Sequence, residues 1–322
     1  MKNKRLIGVL IGLALVIIAV LGYQSVTKKE TKTTSATTAK VGVLQFVTHE
    51  ALDEIYRGIK AGLEEEGYSG DKLKIDFLNA EGDQSKVQTM SQKLVANQND
   101  VLIGIATPAA QGLASATKEI PIIMGAVTDP VGAKLVKSLD QPGGNVTGVS
   151  DKTPIKAQVD LIKELTPNVK TVGVIYSSSE DNSKSQVEEF KTLAEKAGLE
   201  VVVKSVPSTN EIKTTSEVLL SQVDAVWVPL DNTIASAFST LVQVAKEAKK
   251  PIYPSVDTMV EEGGLASVVI DQYQLGVETG KMAAKVLKGE DVSTLPVNVF
   301  DEGTPVYNEE VAKELGITLP EK

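Results

Sequence analysis

One order of short β-branched runs and amphipathic segments is written twice in this 322-residue chain, and that duplication limits the possible folds more than any single motif does. In the first copy VGVLQF (41–46) reads as a strand, and Leu52 to Glu66 as a helix with Ile55, Ile59 and Leu63 on one face. LKIDFLNA is the next strand and Ser85 to Asn97 the next helix, followed by strand VLIGIA (101–106), a helix from about Pro108 and strand PIIMGAV (121–127). VTGVS leads out. Strands alternating with helices in this way specify parallel βαβ units.

The second copy keeps the order. VGVIYSSS (172–179), whose helix ends Ala197-Gly198-Leu199-Glu200, repeats VGVLQFVT (41–48), whose helix carries Ala61-Gly62-Leu63-Glu64. DAVWVPLDNT (224–233) echoes DVLIGIATPA (100–109), and KKPIYPSVD (249–257) echoes KEIPIIMGAVTD (118–129). The length suits two lobes. The expected class is therefore α/β, with two Rossmann-like parallel-sheet lobes that face each other across a cleft. LASVVID (265–271), the helix Leu275 to Leu287, and VNVFDEG with the helix Asn308 to Leu315 come after both copies, so three crossings would form the hinge. The expected partition is 41–148 plus 266–297 for lobe 1 and 149–265 plus 298–322 for lobe 2.

The ends of the chain and its composition narrow the function. Three basic residues in Met1 to Arg5 precede an apolar run from Leu6 to Leu21, the pattern of a secretory address. As a helix that run spans roughly 24 Å, somewhat less than the roughly 30 Å of a hydrocarbon core, so anchor and cleaved signal both stay open. Residues 1–23 are read as signal or anchor, and the Thr/Lys/Ser-rich residues 24–40 as a tether that cannot bury enough surface to order itself. Positive charge on the inner side would put the remainder outside the membrane, anchored through residues 6–22 or secreted after cleavage. A formal charge of −9, with no basic cluster after residue 40, argues against nucleic acid. There is no cysteine and one histidine, and neither HExxH, GxSxG, GxxxxGK[ST] nor GxGxxG occurs. No metal, no cofactor and no enzymatic activity are expected, and a monomer is.

Open parallel sheets bind ligands at the carboxyl ends of their strands, so the candidate contacts are taken from those loops. Thr107 reads as an N-cap with Pro108 in the first turn, leaving the amides of Ala109 and Ala110 for a carboxylate. Ser177, Ser178, Ser179 and Asn182 form a second donor-rich loop. Asp231 and Asn232 end a strand at the position matching Thr107, where a carboxylate could accept an α-ammonium; helix capping is the competing explanation. Asp129 and Ser255 occupy the next matched strand ends. Phe46 could cover a ligand side chain, and His49 is read as a hydrogen-bonding loop residue. Asp271 ends LASVVID and is kept as a candidate, although for it, as for Asp83, Asp151 and Asp181, capping or surface charge is the simplest explanation.

Taken together, VGVLQFVTHEALD, EGDQSK, IATPAAQGLASATK, TDPVGAKLV with PGGNVTGVSD, YSSSEDNSK, VWVPLDNTIAS and GGLASVVIDQ with LGVETGKM resemble the type I periplasmic-binding-fold proteins of ABC transporters, in particular their tryptophan/tyrosine-binding branch. The resemblance spans Val41 to Leu319. It implies a ligand in the hinge cleft, an aromatic L-amino acid with tryptophan first, and a permease and an ATPase as partners. Carried onto this chain, it implies Thr107 to Ala110 and Ser177 to Ser179 for the carboxylate, Asp231 and Asn232 for the ammonium, and Phe46 for the ring. Many relatives carry a lipid-modified cysteine after the apolar run, and this chain has none. A ligand sensor on the same fold, another small polar solute, and an anchored hydrolase using His49 are the competing readings.

Overall fold

The computed structural model describes residues 38–320. The signal or anchor segment 1–23 and tether residues 24–37 lie outside the described residues. The first strand begins two residues earlier than the apolar pattern predicts: β1 spans Ala39–Gln45, and the Thr38 hydroxyl before it donates to the Asp71 carbonyl at 2.8 Å.

Lobe 1 runs through β1, α1 (Glu50–Glu65), β2 (Leu73–Asn79), α2 (Gln84–Ala96), β3 (Val101–Ile105), α3 (Thr107–Ala116), β4 (Ile122–Gly125) and β5 (Val146–Asp151). Lobe 2 follows with α4 (Ile155–Leu165), β6 (Thr171–Ser177), α5 (Asp181–Lys196), β7 (Glu200–Val206), α6 (Ile212–Leu220), β8 (Ala225–Trp227), α7 (Asn232–Ala235), α8 (Phe238–Ala248), β9 (Ile252–Tyr253), α9 (Asp257–Glu261) and β10 (Ala266–Val269). The chain ends with α10 (Gln272–Leu287), β11 (Asn298–Phe300), β12 (Thr304–Tyr307) and α11 (Glu309–Leu315).

The first sheet is parallel throughout, in the order β11-β5-β4-β3-β1-β2. The second, β7-β6-β8-β9, is also parallel and repeats the order β2-β1-β3-β4. The duplication holds at atomic detail. Asp100 donates its amide to the Lys40 carbonyl at 2.8 Å and accepts from the Lys40 amide at 2.7 Å. Asp224 does the same in lobe 2, donating to Thr171 O at 2.8 Å and accepting from the Lys170 and Thr171 amides at 2.9 and 3.0 Å. The helix ends align differently from the sequence expectation. Gly198 (φ 86°) corresponds to Gly67 (φ 89°), each following a helix in the left-handed region, whereas Gly62 lies inside α1.

The lobe boundaries also move. β5 lies wholly in the first sheet as far as Asp151, and β11 extends that sheet at its edge. β10 belongs to lobe 2: it pairs antiparallel with β12, and Leu265 N donates to Ile252 O at 2.7 Å beside β9. α10 returns to lobe 1 and packs along α1 so closely that a Cβ on Gly62 or Gly276 would run into the facing helix backbone. Lobe 1 has one apolar core built on Val43, Ile103, Ile123 and Leu275. Lobe 2 is apolar on both faces of its sheet, with the sole tryptophan, Trp227, stacked on Phe190 at 4.1 Å on one face and Val226 and Leu241 on the other. The crossings at 151–154, 269–272 and 300–304 converge at Gly303, where a Cβ would lie 2.7 Å from Val268 Cγ1 and 3.1 Å from Pro154 Cγ.

Candidate functional site

The carboxyl ends of both sheets meet at a cavity of about 420 Å³ including its mouth. From lobe 1, β3 and β4 each end in an alanine at positive φ, Ala106 at 76° and Ala126 at 57°, and both line the cavity. Non-glycine residues in such conformations cost about 1–3 kcal/mol each and gather at ligand sites. The unusual turn at Ala106 makes that residue the N-cap of α3, so Thr107 does no capping. Its hydroxyl is 1% exposed, lines the cavity and has no protein partner. Asp151, the last residue of β5, is 5% exposed and lines the same cavity with Oδ1 unpartnered. Loss of water raises its carboxyl to about 7, with a bond from Thr128 working the other way.

Lobe 2 meets this wall with Asn182, Leu230, Asp231 and Asn232. Their placement depends on two buried carboxylates. Glu180 Oε2 accepts from the Asn232 amide and side chain at 3.2 and 2.6 Å, and Oε1 from the Thr233 amide and hydroxyl at 2.8 Å each. Asp231 accepts from the Ser177 amide at 2.5 Å, the Ser183 hydroxyl at 2.7 Å and, as the cap of α7, the Ile234 amide at 2.8 Å. Burial, and then the neighbouring Glu180, push Asp231 upward. Asn182 Nδ2 donates to Leu230 O at 2.8 Å, which fixes the amide orientation and leaves Oδ1 buried and unpartnered. Leu52, Ala235, Val256 and Met259 make the apolar side, and Gln272 lines the hinge side with its amide on Ile270 O at 3.1 Å.

The lobes are closed on one another. His49, ahead of α1, reaches Asn232 Oδ1 at 3.2 Å; because Asn232 Nδ2 is held by Glu180, His49 must donate from Nε2. Burial holds this imidazole below the ordinary histidine value despite the Asn232 bond and the Glu180 and Asp53 charges. Gln111 on α3 donates to Asp181 at the start of α5 at 3.2 Å, and Ala51 of lobe 1 joins the apolar cluster of Val256 and Met259.

Of the residues singled out from the sequence, Thr107, Asn182, Asp231 and Asn232 line the cavity, and His49 touches it through Asn232. The others are placed elsewhere. Phe46 is 1% exposed in the lobe 1 core. Pro108 lines a groove between α2 and α3, while Ala109 and Ala110 are core, the Ala110 amide being bonded to Ala106 O. Ser177 and Ser179 bond each other at 2.8 Å, and Ser178 bonds Val206 O. Asp129 caps its own turn through the Gly132 amide, Ser255 donates to Val228 O, and Asp271 is the exposed cap of α10. The ammonium role expected of Asp231 meets two oxygens already engaged by three donors. Glu180, Met259 and Gln272 were not singled out, and Asp151, read from the sequence as a cap or surface charge, is instead buried on the cavity wall. The similar segments VTGVSD and ASVVID carry no clear signal for Asp151, because Asp151 ends its strand and is buried while Asp271 lies two residues beyond its strand and is exposed.

A profile of the family described as ABC transporter substrate binding protein matches residues 40–322. A tyrosine-binding protein of Clostridioides difficile is 40% identical, over 98% of this chain and 93% of its own. An ABC domain from Streptococcus pneumoniae, solved in complex with L-Trp, is 66% identical with a TM-score of 0.88, covering 88% of this chain and 97% of its own. The ligand-free, open structure of a substrate-binding protein with adhesive properties from Clostridium difficile is 40% identical and covers 88% and 96%, with a TM-score of 0.68. Duplicated sheets, a closed inter-lobe cavity and the profile match over nearly all of the described residues agree that the chain belongs to the ABC transporter substrate-binding protein family.

Proposed function

We propose that the chain is the extracytoplasmic receptor of an ABC importer, closing on an aromatic L-amino acid, L-tryptophan first, and presenting it to a membrane permease driven by an ATPase. The observation that carries this reading is the cavity itself: orphaned polar atoms on Thr107 and Asp151 of lobe 1 and Asn182 of lobe 2 face an apolar wall of Leu52, Val256 and Met259. Buried polar atoms without partners are uncommon, and a zwitterion with a large apolar side chain would satisfy both kinds of surface. Methionine adapts well to ring edges, which suits Met259 to an indole or a phenol. The carboxylate belongs at the start of α3, where the helix dipole and the Thr107 hydroxyl both favour an anion. Higher identity to the L-Trp complex than to the tyrosine-binding relative supports tryptophan as first choice. The N-terminal apolar segment would hold the receptor at the outer face of the membrane, or direct its secretion if cleaved.

Isothermal titration calorimetry of the purified protein against the twenty amino acids tests the ligand. Dissociation constants below about 1 mM for L-Trp or L-Tyr are expected, and the absence of binding to Trp, Tyr and Phe alike would reject it. Calorimetry is preferred to intrinsic fluorescence because Trp227 lies in the lobe 2 core and does not line the cavity.

A further inference from the structure

We propose that Asp151 is the counter-ion for the ligand's α-ammonium, and that this carboxylate makes full closure of the lobes conditional on a cationic ligand. The inference rests on the amino-acid reading above and names which residue recognises the amine. Three carboxylates lie buried at or behind the cavity wall. Both oxygens of Asp231 accept from protein donors, as do both of Glu180. Asp151 alone keeps an oxygen without a protein partner. Among the described residues, no lysine, arginine or histidine lines the cavity, so none of the lining residues brings a cation to this group.

Enclosing a carboxylate away from water and from positive charge is strongly unfavourable, and the protein can avoid that penalty only by staying open, by protonating the group or by enclosing a cation with it. An ammonium is the fitting cation. It carries three N–H donors, and the cavity offers two unpartnered acceptors, Asp151 Oδ1 and Asn182 Oδ1, one from each lobe. A ligand amine bridging them would join lobe 1 to lobe 2 at the moment of closure. The position of Asp151 strengthens the coupling: it ends β5, pairs in register with Phe300 of β11, and stands where the first crossing begins. Gln272, at the start of the second crossing, lines the same cavity. The charge of the ligand is thus read beside the hinge, while its side chain is read on the apolar wall.

The test is a two-by-two titration by calorimetry, wild type and Asp151→Asn against L-tryptophan and indole-3-propionate, which keeps the indole and carboxylate but lacks the amine. Wild type should bind indole-3-propionate at least about 100-fold more weakly than L-tryptophan, and Asp151→Asn should lose at least about tenfold on L-tryptophan while changing less than about threefold on indole-3-propionate. Equal losses on both ligands would mark Asp151 as merely structural, and an unchanged L-tryptophan affinity would overturn the assignment outright. If the wild type binds no aromatic amino acid, the ligand reading fails first and this inference falls with it. Thermal melting verifies that the variant folds, with Asp151→Ser as the alternative if it does not. A second readout needs no ligand: small-angle scattering should show unliganded Asp151→Asn more compact than unliganded wild type at neutral pH, since closing no longer encloses a charge. Identical scattering profiles would refute the conditional closure.

Discussion

Thr107 opens α3 without capping it, because Ala106 takes the cap position at φ 76° and leaves the hydroxyl buried and alone. A hydroxyl in that state penalises the empty protein by about 1–3 kcal/mol and returns the difference when a ligand pairs with it. Thr107→Val keeps the side-chain shape and removes only the polar atom. Its expected outcome is a melting temperature equal to or above that of the unliganded wild type, together with roughly tenfold weaker ligand binding by calorimetry. Undiminished affinity would place the hydroxyl away from the ligand. At this scale the sequence was only partly readable. Thr107, Asn182, Asp231 and Asn232, which line the cavity, were singled out because strand ends and cap residues are local features. Whether Asp231 or Asp151 keeps a free oxygen depends on Ser177, Ser183 and Ile234 engaging both oxygens of the one while Oδ1 of the other has no partner, and no local pattern encodes that. Phe46 reads like a ring beside a loop, yet its burial is decided by the packing of the whole lobe 1 core.

The strands and their order were legible because apolar alternation and matching segments report directly on sheet position, down to the shared clip made by Asp100 and Asp224. The helix pair α1 and α10 was not. Their contact joins residues more than two hundred positions apart, and the glycines that permit it look in sequence like ordinary helix weakeners. Ala61-Gly62-Leu63-Glu64 even mimics a helix end, while the helix runs on to Glu65 and Gly67 lies just past it. A methyl group at Gly62 would collide with the Val277 backbone. Backbone cannot yield as a side chain can, so Gly62→Ala should destabilise the protein by about 1–3 kcal/mol in urea unfolding, although the same change in a solvent-facing helix would be stabilising. A gain in stability would mean that the two helices separate readily.

For the molecule as a whole, two buried titratable groups act on the opening equilibrium in opposite senses. Asp151 sits at about 7 when closed and returns to the ordinary carboxylate range in a wet, open cleft, so closure takes up a proton and is favoured as pH falls below 7. Burial keeps His49 below its ordinary value, so closure sheds a proton and is disfavoured once pH drops through that value. Asp257, raised by burial and then by Asp271 and Glu54, reinforces the first sense. Comparing unliganded wild type with Asp151→Asn isolates one contribution. Between about pH 7.5 and about pH 5.5, the radius of gyration of wild type should fall relative to that of the variant. Parallel curves would show that Asp151 keeps its water on closing.

Neither lobe is a continuous stretch of chain. Lobe 1 lacks a helix of its core and an edge strand until residues 272–300 arrive, and β10 of lobe 2 has no antiparallel partner until residues 304–307 follow. A chain emerging from a ribosome therefore cannot finish one lobe and then begin the other, the usual order for multidomain proteins. Both stay unfinished until residues 298–307 have been made.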